Sequence, residues 1–434
     1  MGISRGKDGM NSVHISCAQL RRIASTIGCW AGLVVLGSLG LWAQTKNSCL
    51  ECHQNLPEPF GVTAEKFAED IHSQKGLTCA SCHGGDPTSD DPEKAMSPAA
   101  KWKGKIDRHQ VPELCASCHA NAELMKTYNP SIRVDQFQQY KTSVHGKKWA
   151  AGDEKVAVCT DCHSVHDLRS PSDPRSTVHP TNVAATCARC HADAGYMKSY
   201  GIPTDQFANY KQSVHYDAMV VRGDLSAPTC TTCHGNHGAA PPGVESVVNV
   251  CSTCHVFQAQ LFAKSPHKEA FSKGGFPGCV TCHSNHKIKH PTDEMIGTGS
   301  HAVCIQCHKE GDAGYKIAAD MKAKLTELDS ALTRSNSILG TAERDGMEVG
   351  EAQSQAGQAR DFLLKSRVTI HTLDSAELDR DVTPGLKLAK ETYAAGQRAL
   401  NERRFRRVGL GGSLIAIAIV LLGLRLYIRQ IESE

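Results

Sequence analysis

The sequence predicts a mostly α-helical chain with extensive loops: short helices around a core not made of side chains, then a long-helix region, then one C-terminal helix able to cross a membrane. Three observations predict it. Of 434 residues 20 are cysteine, and 18 of these recur in one fixed spacing. Only 4 Trp, 9 Tyr and 10 Phe are present, too few to fill large interiors in the ordinary way. Beyond residue 312 cysteine is absent, leucine follows a helical period, and an apolar run comes near the end. A content of 40% hydrophobic and 21% charged residues excludes disordered and collagen-like classes. Net charge is +3, and the cysteine-bearing region has no Lys/Arg-rich block or basic–aromatic interleaving, so no nucleic-acid partner is expected.

The recurring unit is Cys-x-x-Cys followed at once by histidine. It occurs as Cys49 and Cys52 with His53, Cys79 and Cys82 with His83, and Cys115 and Cys118 with His119. It continues as Cys159 and Cys162 with His163, Cys187 and Cys190 with His191, and Cys230 and Cys233 with His234. Cys251 and Cys254 with His255, Cys279 and Cys282 with His283, and Cys304 and Cys307 with His308 complete nine. With 22 histidines in 434 residues, nine matches in nine places are not chance. This is the attachment spacing of a c-type haem. Two cysteines three apart share one side of a helical turn, where their sulfurs add to the two vinyl groups of one porphyrin. The next histidine then lies beneath the ring as proximal iron ligand. Zinc knuckles draw their further ligands from a distant pair and have no use for an adjacent histidine, and a disulfide scaffold would scatter its spacings. The expected cofactor is heme c with its iron, nine groups covalently attached.

Thirteen histidines remain, of which His14 lies in the N-terminal leader and His371 in the helical tail, both outside the cysteine-rich stretch. His72, His145, His215 and His267 precede the motifs at Cys79, Cys159, Cys230 and Cys279. His166, His237 and His286 follow a proximal histidine in Cys-His-x-x-His runs. These seven are expected distal ligands. For the last two irons His109, His179, His290 and His301 compete; His301 is set behind the others because only two residues separate it from Cys304. Met125 and Met197 also recur, but methionine at helical spacing packs more often than it ligates.

Residues 115–145 read CASCHANAELMKTY and then VDQFQQYKTSVH, and residues 187–215 read CARCHADAGYMKSY and then TDQFANYKQSVH. The period is near 70, with a shortened copy at 257–286 and a more distant one at 67–83. Each unit supplies two haem motifs, a short amphipathic helix around DQFxxYK, and a histidine at its end. About 29 residues per haem between Cys49 and His308 leave neighbouring porphyrins in near contact. The repeated SVH…CxxCHxxH…CxxCH unit, over residues 48 to 310, resembles the multihaem c-type cytochromes of bacterial respiration, including the class III cytochromes. The resemblance implies a fold of short helices around stacked haems and an electron-carrying function. Some relatives reduce nitrite, hydroxylamine or tetrathionate, but the Cys-x-x-Cys-Lys motif of the pentahaem nitrite reductases is absent.

Residues 1–43 read as an export signal, with Arg5, Lys7, Arg21 and Arg22 ahead of the apolar stretch 23–42 and cleavage after Leu41-Trp42-Ala43, or as an uncleaved N-terminal membrane anchor. Cys17 and Cys29 lack haem spacing and take no role. Residues 44–312 form the expected nonahaem domain and 313–407 a helical stalk or bundle. In that stalk Leu325, Leu328, Leu332 and Leu339 follow the 3–4 spacing, and Pro384 is expected to open the last helix. Residues 408–428 are an expected transmembrane helix and 429–434 a short tail. Arg403, Arg404, Arg406 and Arg407 would place that flank in the cytoplasm by the positive-inside rule. Haem attachment occurs on the other side, and haem decides: cytoplasmic membrane, with the haem domain facing the periplasm. Residues 44–312 carry 26 Lys+Arg against 28 Asp+Glu, so ionised propionates would turn the domain acidic toward basic partners. The expected role is electron transfer between a quinol-oxidising membrane complex and periplasmic or outer-membrane redox partners. The alternative is an oxyanion reductase with one open iron, and a third reading is a subunit of a larger membrane complex.

Overall fold

The computed structural model describes residues 47–239 and 247–433; the leader, with His14, Cys17 and Cys29, lies outside them. Among the described residues there are helices, turns and loops and no β-strand, as the fold class requires. The chain divides into two compact units, one of residues up to Ala64 with Leu77–Lys105, the other of Glu65–Gly76 with Ile106 onward.

Each haem motif is about one helical turn. Most stand alone, as in Cys79–His83, Cys159–His163 and Cys230–His234. Two end longer helices, α1 (Val111–His119) and α2 (Pro180–His191). In the isolated turns the residue before the second cysteine closes the N-terminus. Ser81, Asp161 and Thr232 each accept the backbone N–H three residues earlier, at 3.1, 2.7 and 3.1 Å. The turn then stops abruptly, because Gly84, Ser164, Gly235 and Ser284 take φ of +69°, +65°, +77° and +58°.

The repeats fold alike. Tyr140 donates its hydroxyl to Ala157 O at 2.8 Å, and Tyr210 does the same to Pro228 O at 2.9 Å, so the DQFxxYK helix anchors the strand of loop leading to the next motif. Two residues before His72, His145, His215 and His267 stand Asp70, Ser143, Ser213 and Ser265, all buried. The first three accept backbone N–H groups as N-caps. This segment holds little side-chain core: its one apolar cluster among the described residues is Trp149, Val156 and Val158.

The large apolar cores lie in the tail, where α3 (Ala313–Arg344), α4 (Gly350–Thr369) and α5 (Ser375–Ser433) pack as a three-helix bundle. Leu325, Leu328, Leu332 and Leu339 are buried there. On α5 the facing stripe is small, with Gly385, Ala389, Thr392, Gly396 and Ala399, which lets the helix axes close up. A Cβ on Gly396 would stand 2.7 Å from Ile338 Cγ2. Pro384 does not open this helix. It lies inside, and the start is Ser375, where the Asp374 carboxylate accepts Ala376 N–H at 2.8 Å and Glu377 N–H at 3.4 Å. Proline costs the helix the one bond to Arg380 O, and burial of Leu378 and Val382 before it and of Gly385 and Ala389 after it holds the helix continuous through that loss. Beyond the bundle α5 continues as an exposed apolar rod, with a window of mean hydropathy 2.1, long and apolar enough to cross a membrane.

Candidate functional site

Within the second unit, histidine rings face each other in seven pairs. His72 faces His119 with centroids 6.0 Å apart, His145 faces His191 at 6.1 Å, His215 faces His255 at 6.5 Å, and His267 faces His308 at 5.8 Å. His163 faces His237 at 6.2 Å, His234 faces His286 at 5.9 Å, and His283 faces His371 at 6.1 Å. Each pair contains one proximal histidine of a Cys-x-x-Cys-His motif. Two metal–nitrogen bonds of about 2 Å, plus about 1.1 Å from each nitrogen to its ring centre, separate the centroids of a bis-imidazole iron by about 6 Å. The chain therefore holds its imidazoles at the spacing that an iron between them requires.

The pairs fall into two series by ring geometry. Those of the motifs at Cys115, Cys187, Cys251 and Cys304 are tilted by 74°, 52°, 40° and 79°. Those of the motifs at Cys159, Cys230 and Cys279 are nearly parallel, at 5°, 15° and 19°. In both series the partner comes from a different repeat. His145 precedes the motif at Cys159 yet faces the next one, and His237 follows the motif at Cys230 yet faces the one two before it, at Cys159.

Buried imidazoles suit a metal only when neutral, because the ligating nitrogen needs its lone pair. Burial first, and the facing ring second, push His119, His145, His215, His234, His267 and His283 below the usual histidine value, and His163 falls to about 4. Several rings are also oriented through Nδ1. His53 donates to Phe60 O at 2.9 Å and His83 to Gly104 O at 3.2 Å, while His72 Nδ1 lies 3.2 Å from the buried Asp70 carboxylate.

The thiols run in chain order. Cys115 and Cys159, Cys187 and Cys230, and Cys251 and Cys279 are close enough for each thiol to perturb the other's ionisation. Between these contacts Cys162 interacts with Cys190, Cys233 with Cys254, and Cys282 with Cys304 and Cys307. In the first unit Cys49 and Cys79 are likewise neighbours. Within the second unit first cysteines adjoin first cysteines and second adjoin second in alternation, until Cys282 adjoins both Cys304 and Cys307. Asp161 and Arg189, both inside motifs, brace this order: Arg108 reaches the Asp161 carboxylate at 2.5 and 2.9 Å, and Arg189 donates to Asp161 O. Among the described residues no three His, Cys, Asp or Glu side chains converge as a metal cluster.

The other histidines are placed elsewhere. His109 stacks on Trp149 at 5.0 Å, buried His179 stands at the N-cap position of α2 with Nδ1 2.7 Å from Thr181 Oγ1, and exposed His290 has Nδ1 2.9 Å from Pro291 O. None of the three is brought to another histidine ring within the second unit. Met125 and Met197 are buried in the packing. Sequence reasoning left His371 out, since it lies far beyond the last cysteine and its only signal is its place at the corner between two long helices.

Repeated covalent attachment motifs with facing imidazoles define the class: the chain is a multihaem c-type cytochrome with covalently bound haem c and its iron. Residues 71–192, which take in four motifs, match the family model described as Cytochrome c3. The chain is similar to the C-type polyheme cytochrome OmcC of Geobacter sulfurreducens, 24% identical over 244 residues that cover 49% of this chain and 29% of that protein. It thus spans less than a third of that relative's length. No solved structure matches.

Proposed function

We propose that the protein is a membrane-anchored nonahaem electron relay, exported so that its haem domain faces the periplasm, which links a quinol-oxidising membrane complex to periplasmic or outer-membrane acceptors. The supporting observation is the succession of thiols from motif to motif in chain order. Haems fixed through those sulfurs would stand edge to edge, and tunnelling rates fall steeply with edge separation. The cysteines would hold the macrocycles, and the proximal histidines would bind iron from one side. His72, His145, His215, His267, His237 and His286 would bind from the other, with His166 as a further distal ligand. Bound haem supplies one-electron chemistry at low potential, since paired imidazoles lack the thioether that raises it. The apolar end of α5 would anchor the relay, and acidic propionates would favour basic redox partners.

The test is spectroscopy on detergent-extracted full-length protein. The relay requires nine haems per chain by pyridine haemochrome, all low-spin by magnetic circular dichroism. A high-spin iron that binds nitrite and turns it over would replace the relay by the reductase reading.

A further inference from the structure

We infer that His371, at the corner of the helical bundle, is the distal axial ligand of the haem attached at Cys279 and Cys282, so that the bundle completes the haem chain rather than only carrying it. The inference rests on the cytochrome reading above.

Three observations carry it. First, His371 faces His283 at 6.1 Å, inside the range of the other six pairs, with the rings 19° from parallel. Second, that angle places the pair in the parallel series, whose other members take their distal ring from a Cys-His-x-x-His run one motif pair further on: His163 from His237, His234 from His286. The motif at Cys279 is the last of its series. No Cys-His-x-x-His run follows it, because Cys304 to His308 ends in Lys309, Glu310 and Gly311. The relay of donated histidines would stop one ring short, and the bundle supplies the ring.

Third, the corner is built to hold it. His371 donates Nδ1–H to Val368 O at 2.8 Å, so Nε2 is the nitrogen that would bind iron. Leu373 takes φ +54° and ends the short Ile370–Thr372 turn. Buried Thr369 donates its hydroxyl to Asp381 at 2.6 Å, and Lys365 pairs with the same carboxylate at 2.7 Å, so α4 and α5 are cross-braced beside the ring. The helix Val256–Lys264, which follows the motif at Cys251, packs against this corner.

The experiment uses the full-length protein carrying His371→Gly, with His371→Met and His290→Gly beside it. In His371→Gly one haem-equivalent of low-spin signal is expected to become high-spin in magnetic circular dichroism, with the haem count unchanged, and added imidazole should restore it. In His371→Met one haem midpoint should rise while the others stay, since a thioether raises haem potential. His290→Gly should leave every haem low-spin. A full low-spin complement in His371→Gly, together with an unshifted redox titration in His371→Met, overturns the inference. A wild-type haem count far below nine would instead overturn the reading beneath it.

Discussion

Replacing Asp70 separates two tasks of one buried carboxylate. Its Oδ1 caps a helix by accepting His72 N–H at 2.8 Å, and Oδ2 accepts Leu168 N–H at 2.9 Å. The same group lies 3.2 Å from His72 Nδ1. Burial alone would raise its pKa, but the His72 side chain and the two backbone donors outweigh that and hold it below the usual aspartate value. In Asp70→Ala the lost cap costs about 1 kcal/mol, and the orphaned Leu168 N–H about 1–3 kcal/mol. Asp70→Ser installs the residue used at the equivalent position by Ser143, Ser213 and Ser265, so the cap survives and the cost falls by about 1 kcal/mol. Both variants remove negative charge beside His72, and with His72 bound to iron as proposed this would weaken ferric iron more than ferrous. A tenfold differential corresponds to about 60 mV for a one-electron couple, so one midpoint should rise by about that much in both. Spectropotentiometric titration and guanidinium unfolding read the two effects separately. Equal stability of the serine and alanine variants, or a midpoint that stays put in both, refutes the division of labour. The pH dependence has a definite sign: because the folded pKa is depressed, the carboxylate's contribution is complete above the unfolded value and disappears as pH falls through the folded one. Wild type and Asp70→Ser should therefore converge in acid.

Gly385→Ala should destabilise the bundle, because the new Cβ would lie 2.9 Å from Phe362 Cβ and 3.1 Å from both Leu328 methyls. Overpacking of about 1–3 kcal/mol exceeds the helix-propensity gain of about 1 kcal/mol, so thermal melting by circular dichroism should drop. Ser164→Gly and Ser284→Gly should each stabilise by about 1 kcal/mol in denaturant unfolding, since both serines hold positive φ with ψ of −171° and −174°, a region open almost only to glycine. Glu69 and Asp173 are held below ordinary carboxylate values by hydrogen bonds from Arg169 and Arg175, Asp173 at about 2. Protection of residues 65–76 against hydrogen exchange, corrected for the intrinsic rate at each pH, should fall as pH drops from about 4 toward 2, and 0.5 M salt, about 4 Å of screening length, should produce a milder version.

The cysteines and proximal histidines were legible because attachment chemistry is local: sulfur, sulfur and imidazole must share one turn, so the signal occupies five consecutive residues. The helical class was legible for the same reason, as were the Leu325 to Leu339 stripe and the apolar end of α5. Distal histidines are a different matter. His72 stands seven residues before Cys79 but faces His119, and nothing in the local pattern says that donated rings skip a motif. His109 and His179 have suitable positions along the chain, yet one ring is taken by Trp149 and the other by the start of α2. His371 was invisible because its role depends on a three-helix packing that only long-range contacts fix. Pro384 misled because proline is a frequent helix opener, and the competing cap at Asp374, ten residues earlier in Asp374-Ser-Ala-Glu377, went unused.

The skipping of donated rings explains how a segment with so little side-chain core keeps one shape. If every distal histidine served its own repeat, each unit would close on itself and the repeats could move independently. Instead His145 is carried by one repeat and faces the ring of the next, while His237 reaches back. Each iron would then be a cross-link between segments distant in sequence, and such links remove chain entropy from the unfolded state in the manner of a disulfide. Two opposite directions of donation, tilted rings forward and parallel rings backward, make the interlock continuous from Cys115 to Cys307. On this reading the links that would space the haems for electron transfer would also hold the fold, and the last backward link would fall to the bundle.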